Sequence, residues 1–203
     1  FHSKRHSSDR QTIQQKFFRG EINILLATSA FGMGINQSNI RTIIHYQLPQ
    51  TLEDYVQQIG RAGRDLQFSR CIALIHSDDF PQMRRKIERS YEVDDEEETE
   101  LHQNIKEIAK TFRWNNNQTS AFIKKQRERK LKQAERIEEF ATTTLCKEQY
   151  LAHFFGEKRK ASCGKCSSCR HLDLFLMGIS SKWNEVENSK NSFEESFKKL
   201  FNL

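Results

Sequence analysis

ATSAFGMGINQSNIR, residues 27–41, follows directly on the apolar run INILL at 22–26. Residues 22–27 have the length and unbroken apolar character of a strand buried on both faces, as parallel sheets require. Gly32 and Gly34 then break the chain. Upstream, Ser8 with Gln11 reads as a helix cap, Ile13, Phe17 and Phe18 as an apolar face, and Gly20 as the stop. Downstream, residues 40–46 read as a second strand that ends before Pro49. Thr51 with Asp54 reads as a capping box for a helix through Ile59. Residues 71–75 read as a third strand. Strand and helix in alternation imply α/β architecture, a mostly parallel sheet with helices over it and a working edge made by the loops at the strand ends.

Two glycine-rich passages fall in such loops. In the first, the hydroxyls of Thr28 and Ser29 and the backbone around Gly32, Gly34 and Asn36 suit a phosphate or a DNA backbone. A plain tight turn, with the hydroxyls satisfying local backbone groups, accounts for the same residues. The second passage is QQIGRAGRD, residues 57–65. Arg61 and Arg64 stand three positions apart, so one helical turn points both the same way. A guanidinium is permanently charged and forked, which suits the oxygens of a transferring phosphoryl group. Surface arginines with ordinary carboxylate contacts are the plainer reading.

Cys163, Cys166 and Cys169 form a C-x2-C-x2-C hook, and Cys146 lies 17 positions upstream at the start of an expected helix carrying Leu151, Phe154 and Phe155. Four thiolates suit a tetrahedral, structural zinc with no open position for catalysis. An iron–sulfur cluster, disulfides or free thiols use the same residues. Cys71 reads as core, and His153 and His171 as bystanders to a complete set of four. Lys160, Lys165 and Arg170 offset the thiolate charge. Trp114 and Trp183 read as packing, although an aromatic face also suits an exposed base. His45 and His76 read as structural.

The 203 residues allow one or two small domains, with 36% hydrophobic and 30% charged residues and a net charge of +6. A positive balance favours a polyanionic partner. Charge is uneven along the chain. Residues 92–100 carry seven acidic groups, and residues 124–136 carry seven Lys or Arg against two Glu. A solvated helical linker is the plainer reading of this stretch, and a basic track along a nucleic-acid backbone the sharper one. NNNQTS at 115–120 reads as a break. No apolar run reaches membrane-spanning length, and five cysteines exclude a disulfide-dense secreted scaffold. An intracellular setting is expected, nucleus or cytoplasm according to the organism. Phe1 in place of methionine implies a segment of a longer protein. No glycine-rich loop ending in Lys-Ser or Lys-Thr is present to grip a nucleotide.

FHSKRHSSDRQTIQQKF, ILLATSAFGMGINQSNIR, IIHYQLPQTLEDYVQQIGRAGRD and LCKEQYLAHFFGE with CGKCSSC, in this order, resemble RecQ-type DNA helicases of superfamily 2. The resemblance, carried by residues 1–78 and 140–170, implies a partial second RecA-like lobe (1–79) and a zinc-binding domain (140–173); the residue pattern itself gives a charged helical connector (80–139) and a tail (174–203) that reads as a helix with Phe193, Phe197 and Leu200 on one face. The resemblance implies that Arg64 is the arginine finger, with Arg61 and Gln57 in the same motif at a lobe interface. Thr28 and Ser29, with Arg5 and Arg10, would meet DNA, and Gly34 and Asn36 would link that contact to the nucleotide side. Cys146, Cys163, Cys166 and Cys169 would hold zinc. ATP and Mg2+ would bind only with a first RecA-like lobe. The implied activity is 3′–5′ translocation on single-stranded DNA and opening of duplex junctions, in DNA repair or recombination, with this chain alone inactive. A non-enzymatic, zinc-containing DNA-binding or interaction module is the competing class.

Overall fold

The structure is a computed structural model and describes residues 6–28, 37–92 and 100–171. The chain divides into two units, Phe1–Ala141 and Thr142–Leu203. The first opens with α1 (Ser7–Phe18). Ser8 is not its cap. It lies inside the first turn, with its hydroxyl on His6 Nδ1 at 2.9 Å and its carbonyl accepting from Thr12 Oγ1 at 3.0 Å. The N-cap, His6, makes no side-chain capping bond. Gly20 ends the helix as expected, at φ 74°, with its N–H on Phe17 O and the Glu21 N–H reaching back to Lys16 O at 2.9 Å.

β1 (Thr42–His45) and β2 (Arg70–Ala73) pair in parallel, with Ile43 opposite Cys71 and Ile44 opposite Ile72. The crossover between them carries α2 (Leu52–Ile59). The strand expected at 22–27 does not form among the described residues. Ile24 is 47% exposed and Leu26 72%. A strand is defined by the ladder of a neighbour, and the apolar pattern of one segment cannot supply that ladder by itself. Cys71, expected in the core, is exposed on β2, although enough of its surroundings are covered for burial to raise its thiol pKa.

Three helices build the core: α3 (Asp79–Tyr91), α4 (Glu100–Thr111) and α5 (Asn116–Thr142). Ile87 and Tyr91 of α3 pack with Ala134 of α5, and Met83, Leu101, Ile123 and Leu131 close around them. The basic stretch is helical, as expected, but one of its faces is buried. Ile123, Leu131, Ala134 and Ile137 recur at helical spacing and turn inward, while Lys124, Lys125, Arg129 and Lys132 stay exposed on the other face. Arg84 of α3 pairs with Glu138 of α5, and the Phe140 ring lies 4.9 Å from Tyr55 of α2. Of NNNQTS, expected as a break or loop, only Asn115 lies in the break between α4 and α5. Gln118 N–H donates to Asn115 Oδ1 and Asn115 N–H to Gln118 Oε1, both at 2.9 Å, so the run opens α5 with a reciprocal capping box. The turn comes just before it, at Phe112 to Trp114, where Arg113 takes φ 54°.

In the second unit α6 (Lys147–Phe154) follows Cys146 and stops at Gly156, φ 85°. Turns lead from there through the remaining cysteines. The tail from 172 onward, including Phe193, Phe197 and Leu200, lies outside the described residues, as does acidic segment 93–99. Among the described residues no helix is long and apolar enough to cross a membrane.

Candidate arginine loop and metal centre

Thr51 starts α2 from an extended backbone, and its Oγ1 accepts the Asp54 N–H at 3.1 Å. Its hydroxyl in turn donates to Asp54 Oδ2 at 2.8 Å. This cap sets the register of the whole helix. Gln57 then points to solvent, and Gln58 points inward, its Oε1 2.9 Å from His45 Nε2. His45 is buried, and burial lowers its pKa against the opposing bond to Gln58. Its ring sits 5.3 Å from Tyr55, whose hydroxyl burial pushes up to about 12.

Gly60 caps α2, and the chain turns through Arg61 and Ala62, whose N–H groups bond Gln58 O and Ile59 O. Gly63 has φ 63°, and a Cβ there would stand 2.7 Å from Ser69 Oγ and 2.9 Å from Gln67 O. Only glycine meets both demands. Gly63 N–H donates to Ile40 O at 3.0 Å, which ties the loop to the segment leading into β1. Two residues on, Asp65 is gripped by both terminal nitrogens of Arg41, one at 2.9 Å. This hydrogen bonding holds the Asp65 carboxyl down to about 2. Arg64 lies between these two anchors.

Arg64 Nε donates to Gly60 O at 3.2 Å, folding the side chain back along the turn. Arg61 is half-buried; burial lowers its pKa, and the Arg64 charge lowers it further, so the two guanidiniums feel one another. The loop's own carboxylate is held by Arg41. Sequence reasoning quoted Arg41 and Asp65 without pairing them. The signal available was a lone cation ahead of a strand and an acid just past the glycines. Thr28 is exposed, and Arg10 lies half-buried on α1. Arg5, Ser29, Gly34 and Asn36 lie outside the described residues.

In the second unit the Sγ atoms of Cys146, Cys163, Cys166 and Cys169 all lie within 4.8 Å of one another. A metal–sulfur bond of about 2.3 Å implies tetrahedral sulfur–sulfur edges of about 3.8 Å. Cys163 Sγ and Cys169 Sγ stand 3.9 Å apart. Backbone donors surround the sulfurs: Cys163 N–H to Cys146 Sγ and Cys166 N–H to Cys163 Sγ at 3.3 Å, and Lys147 N–H to Cys166 Sγ at 3.4 Å. Burial raises the Cys146 thiol, but the N–H groups of Cys163 and Gln149 outweigh it and bring it down to about 6. Cys166 is lowered in the same way, burial opposing and the N–H groups of Cys169 and Lys147 prevailing. Burial raises Cys163, and the bond with Cys166, ahead of burial, takes Cys169 up to about 11. Two of the thiols are thus held down and two are held up. Such a quartet fits a metal that takes four sulfurs and displaces their protons. Neither His153 nor His171 belongs to it, and both are exposed. Lys147 was missed in the sequence. It bonds the cluster through its N–H, and its Nζ donates to Thr143 O at 2.7 Å.

Residues 1–65 match the helicase conserved C-terminal domain, and residues 77–170 match the RecQ zinc-binding family. A Bacillus subtilis ATP-dependent DNA helicase RecQ is 32% identical over 79% of the chain. The chain belongs to the RecQ helicase family. The mouse bifunctional 3′-5′ exonuclease/ATP-dependent helicase WRN is 44% identical to this RecQ chain over 43% of it and 6% of WRN. A relative from Acanthamoeba polyphaga mimivirus, which carries the provisional name of an ATP-dependent RNA helicase, is 30% identical over 94% of the chain. The RecQ chain spans 22% of the Bacillus relative and 29% of the viral one. The zinc-binding match begins at residue 77 and so takes in α3, α4 and α5 together with the four cysteines.

Proposed function

We propose that this chain supplies part of the second RecA-like lobe and the zinc-binding domain of an ATP-dependent 3′–5′ DNA helicase. The observation that carries this reading is Arg64, held between the Gly63–Ile40 bond and the Arg41–Asp65 pair. A backbone tethered on both sides presents the arginine from a fixed point, which lowers the entropic cost of bringing its guanidinium to a phosphate, as an arginine finger needs. Arg61 and Gln57 share that turn of chain and would face the same interface. ATP and Mg2+ would sit between this lobe and a first RecA-like lobe. Arg64 would then stabilise charge on the transferring γ-phosphoryl group. Thr28 and Ser29, with Arg5 and Arg10, would follow the DNA backbone, and Gly34 and Asn36 would link that contact to the nucleotide side.

Zinc is the metal proposed for the four cysteines, in a closed structural site. It would hold residues 157–171 against α6 and take no part in hydrolysis. The proposed boundaries remain a lobe at 1–79, a helical connector at 80–139, a zinc-binding domain at 140–173 and a tail at 174–203. By this reading the chain alone hydrolyses no ATP, and the protein that contains it works inside the cell on unpaired DNA and junctions, in repair or recombination.

The test is DNA-stimulated ATP hydrolysis by the full-length protein, wild type against Arg64→Ala at matched zinc content. An arginine finger predicts a fall in kcat of about 10³- to 10⁵-fold with DNA binding retained. Wild-type rates in the variant refute the assignment. Nucleic-acid binding without stimulated hydrolysis in the wild type would favour a non-enzymatic DNA-binding or interaction module. Parallel assays with RNA decide between the two polymers named among the relatives.

A further inference from the structure

Phe112 stands where α4 ends, and 66% of it is exposed. It does not stand alone. Trp114 lies stacked on it, centroids 5.7 Å apart and planes 25° from parallel, and Phe122 of α5 backs Trp114 at 5.0 Å. The turn between the helices creates this column. Trp114 N–H reaches back to Ala109 O at 2.8 Å, Arg113 N–H bonds Lys110 O, and Arg113 takes the left-handed φ of 54°. That helix-ending geometry accounts for Trp114, which packs inward. It does not account for Phe112, which stays largely exposed although its ring lies against Trp114.

The same ring forms one wall of a groove of about 340 Å³, lined also by Asn104, Glu107, Ile108 and Thr111. Thr111 Oγ1 is spent on Glu107 O at 2.8 Å, while the Asn104 side chain is exposed at the rim. Lys110 and Arg113 flank Phe112 in sequence, and Lys124 and Lys125 follow Phe122; all four are exposed. Glu107 is the one carboxylate lining the groove. An open aromatic ring, an amide that both donates and accepts, and the exposed cations Lys110 and Arg113 on either side of that ring in the chain describe the chemistry of an unpaired nucleobase with its phosphate.

We propose that Phe112 is a stacking site for a base of single-stranded nucleic acid, seated in the groove beside Asn104 with Lys110 and Arg113 toward its backbone. The proposal rests on the nucleic-acid reading above and adds a contact outside both glycine-rich loops. Base stacking on one aromatic face is sequence-tolerant, and its removal weakens binding by about fivefold or more.

The experiment measures anisotropy of a labelled oligothymidylate titrated with the zinc-loaded chain, for wild type and Phe112→Ala, Phe112→Leu and Phe112→Trp. An abasic oligonucleotide of equal length provides the same charge without bases. Expected are an affinity loss of at least about fivefold for the Ala and Leu variants, retention for Trp, and no difference among the four proteins on the abasic strand. The slope of affinity against salt stays unchanged, since no charge is removed. Zinc content and circular dichroism confirm that each variant is folded. If Ala or Leu binds oligothymidylate as wild type does, the stacking site is overturned and the wider reading stands. If the wild-type chain binds neither strand, the stacking site falls and the nucleic-acid reading is weakened with it.

Discussion

Replacing Gly63 by alanine perturbs the arginine loop at the point where its geometry is most constrained. Two separate costs follow from the structure. The backbone sits at φ 63°, a left-handed conformation that costs an L-residue about 1–2 kcal/mol. The new methyl would also stand 2.7 Å from Ser69 Oγ and 2.9 Å from Gln67 O, and the second of these is backbone that cannot rotate away. Overpacking of this kind adds about 1–3 kcal/mol, for a total of about 2–5 kcal/mol. Gly20 supplies the control. It has φ 74° but nothing within 4 Å of the position a Cβ would take, so Gly20→Ala carries the conformational cost alone. Urea unfolding of the zinc-loaded chain, followed by far-ultraviolet circular dichroism, should place Gly63→Ala at least about 1 kcal/mol below Gly20→Ala. Equal midpoints for the two variants, or a Gly63→Ala within about 0.5 kcal/mol of wild type, would show that the loop is not held as described.

Three further outcomes are expected. Asp65 has a folded-state pKa of about 2, below that of a free carboxylate. Its contribution is therefore present above the unfolded value near 4 and is lost as pH falls toward 2. Asp65→Asn should flatten the acid limb of stability against pH between about 4 and 2, and an unchanged limb would remove the Arg41 pair from the account. Ile137 is fully enclosed, at 0% exposure, so Ile137→Ala should cost about 2–5 kcal/mol in denaturant titration. A loss below about 1 kcal/mol would mean that α5 is not a core helix. Chelation, or Cys163→Ser, should release the metal and collapse protection of the amides at Cys163, Cys166 and Cys169 in hydrogen exchange; retained protection would refute a metal-held loop.

What could be read beforehand followed local chemistry. Thr51 and Asp54 announced α2 because a capping box is complete within four residues. The four cysteines announced a cluster because few other uses fit their spacing. Failures came where partners lie far apart in sequence. Residues 22–27 have the pattern of a strand, yet a strand exists only with a ladder beside it. The charge of α5 disguised a buried stripe, since seven cations in thirteen residues outweigh the few apolar positions in any local average. Arg41 and Asp65 are 24 positions apart, and nothing local distinguishes them from other surface charges. The NNNQTS run misled for a different reason, because Asn and Gln favour turns and helix starts through the same side-chain bonds.

The clasp between Arg41 and Asp65 bears on how any motion must be distributed. A loop tethered on both sides of Arg64, by Gly63 to Ile40 and by Asp65 to Arg41, has no travel of its own. The guanidinium can swing about its side-chain bonds, but its Cα rides with β1. On the proposed reading of Arg64, bringing it up to a phosphate would carry the sheet and the helix crossing it along as one piece. On that reading the pivot would fall outside residues 40–73, and substitutions that loosen the clasp would slacken the linkage rather than speed any movement.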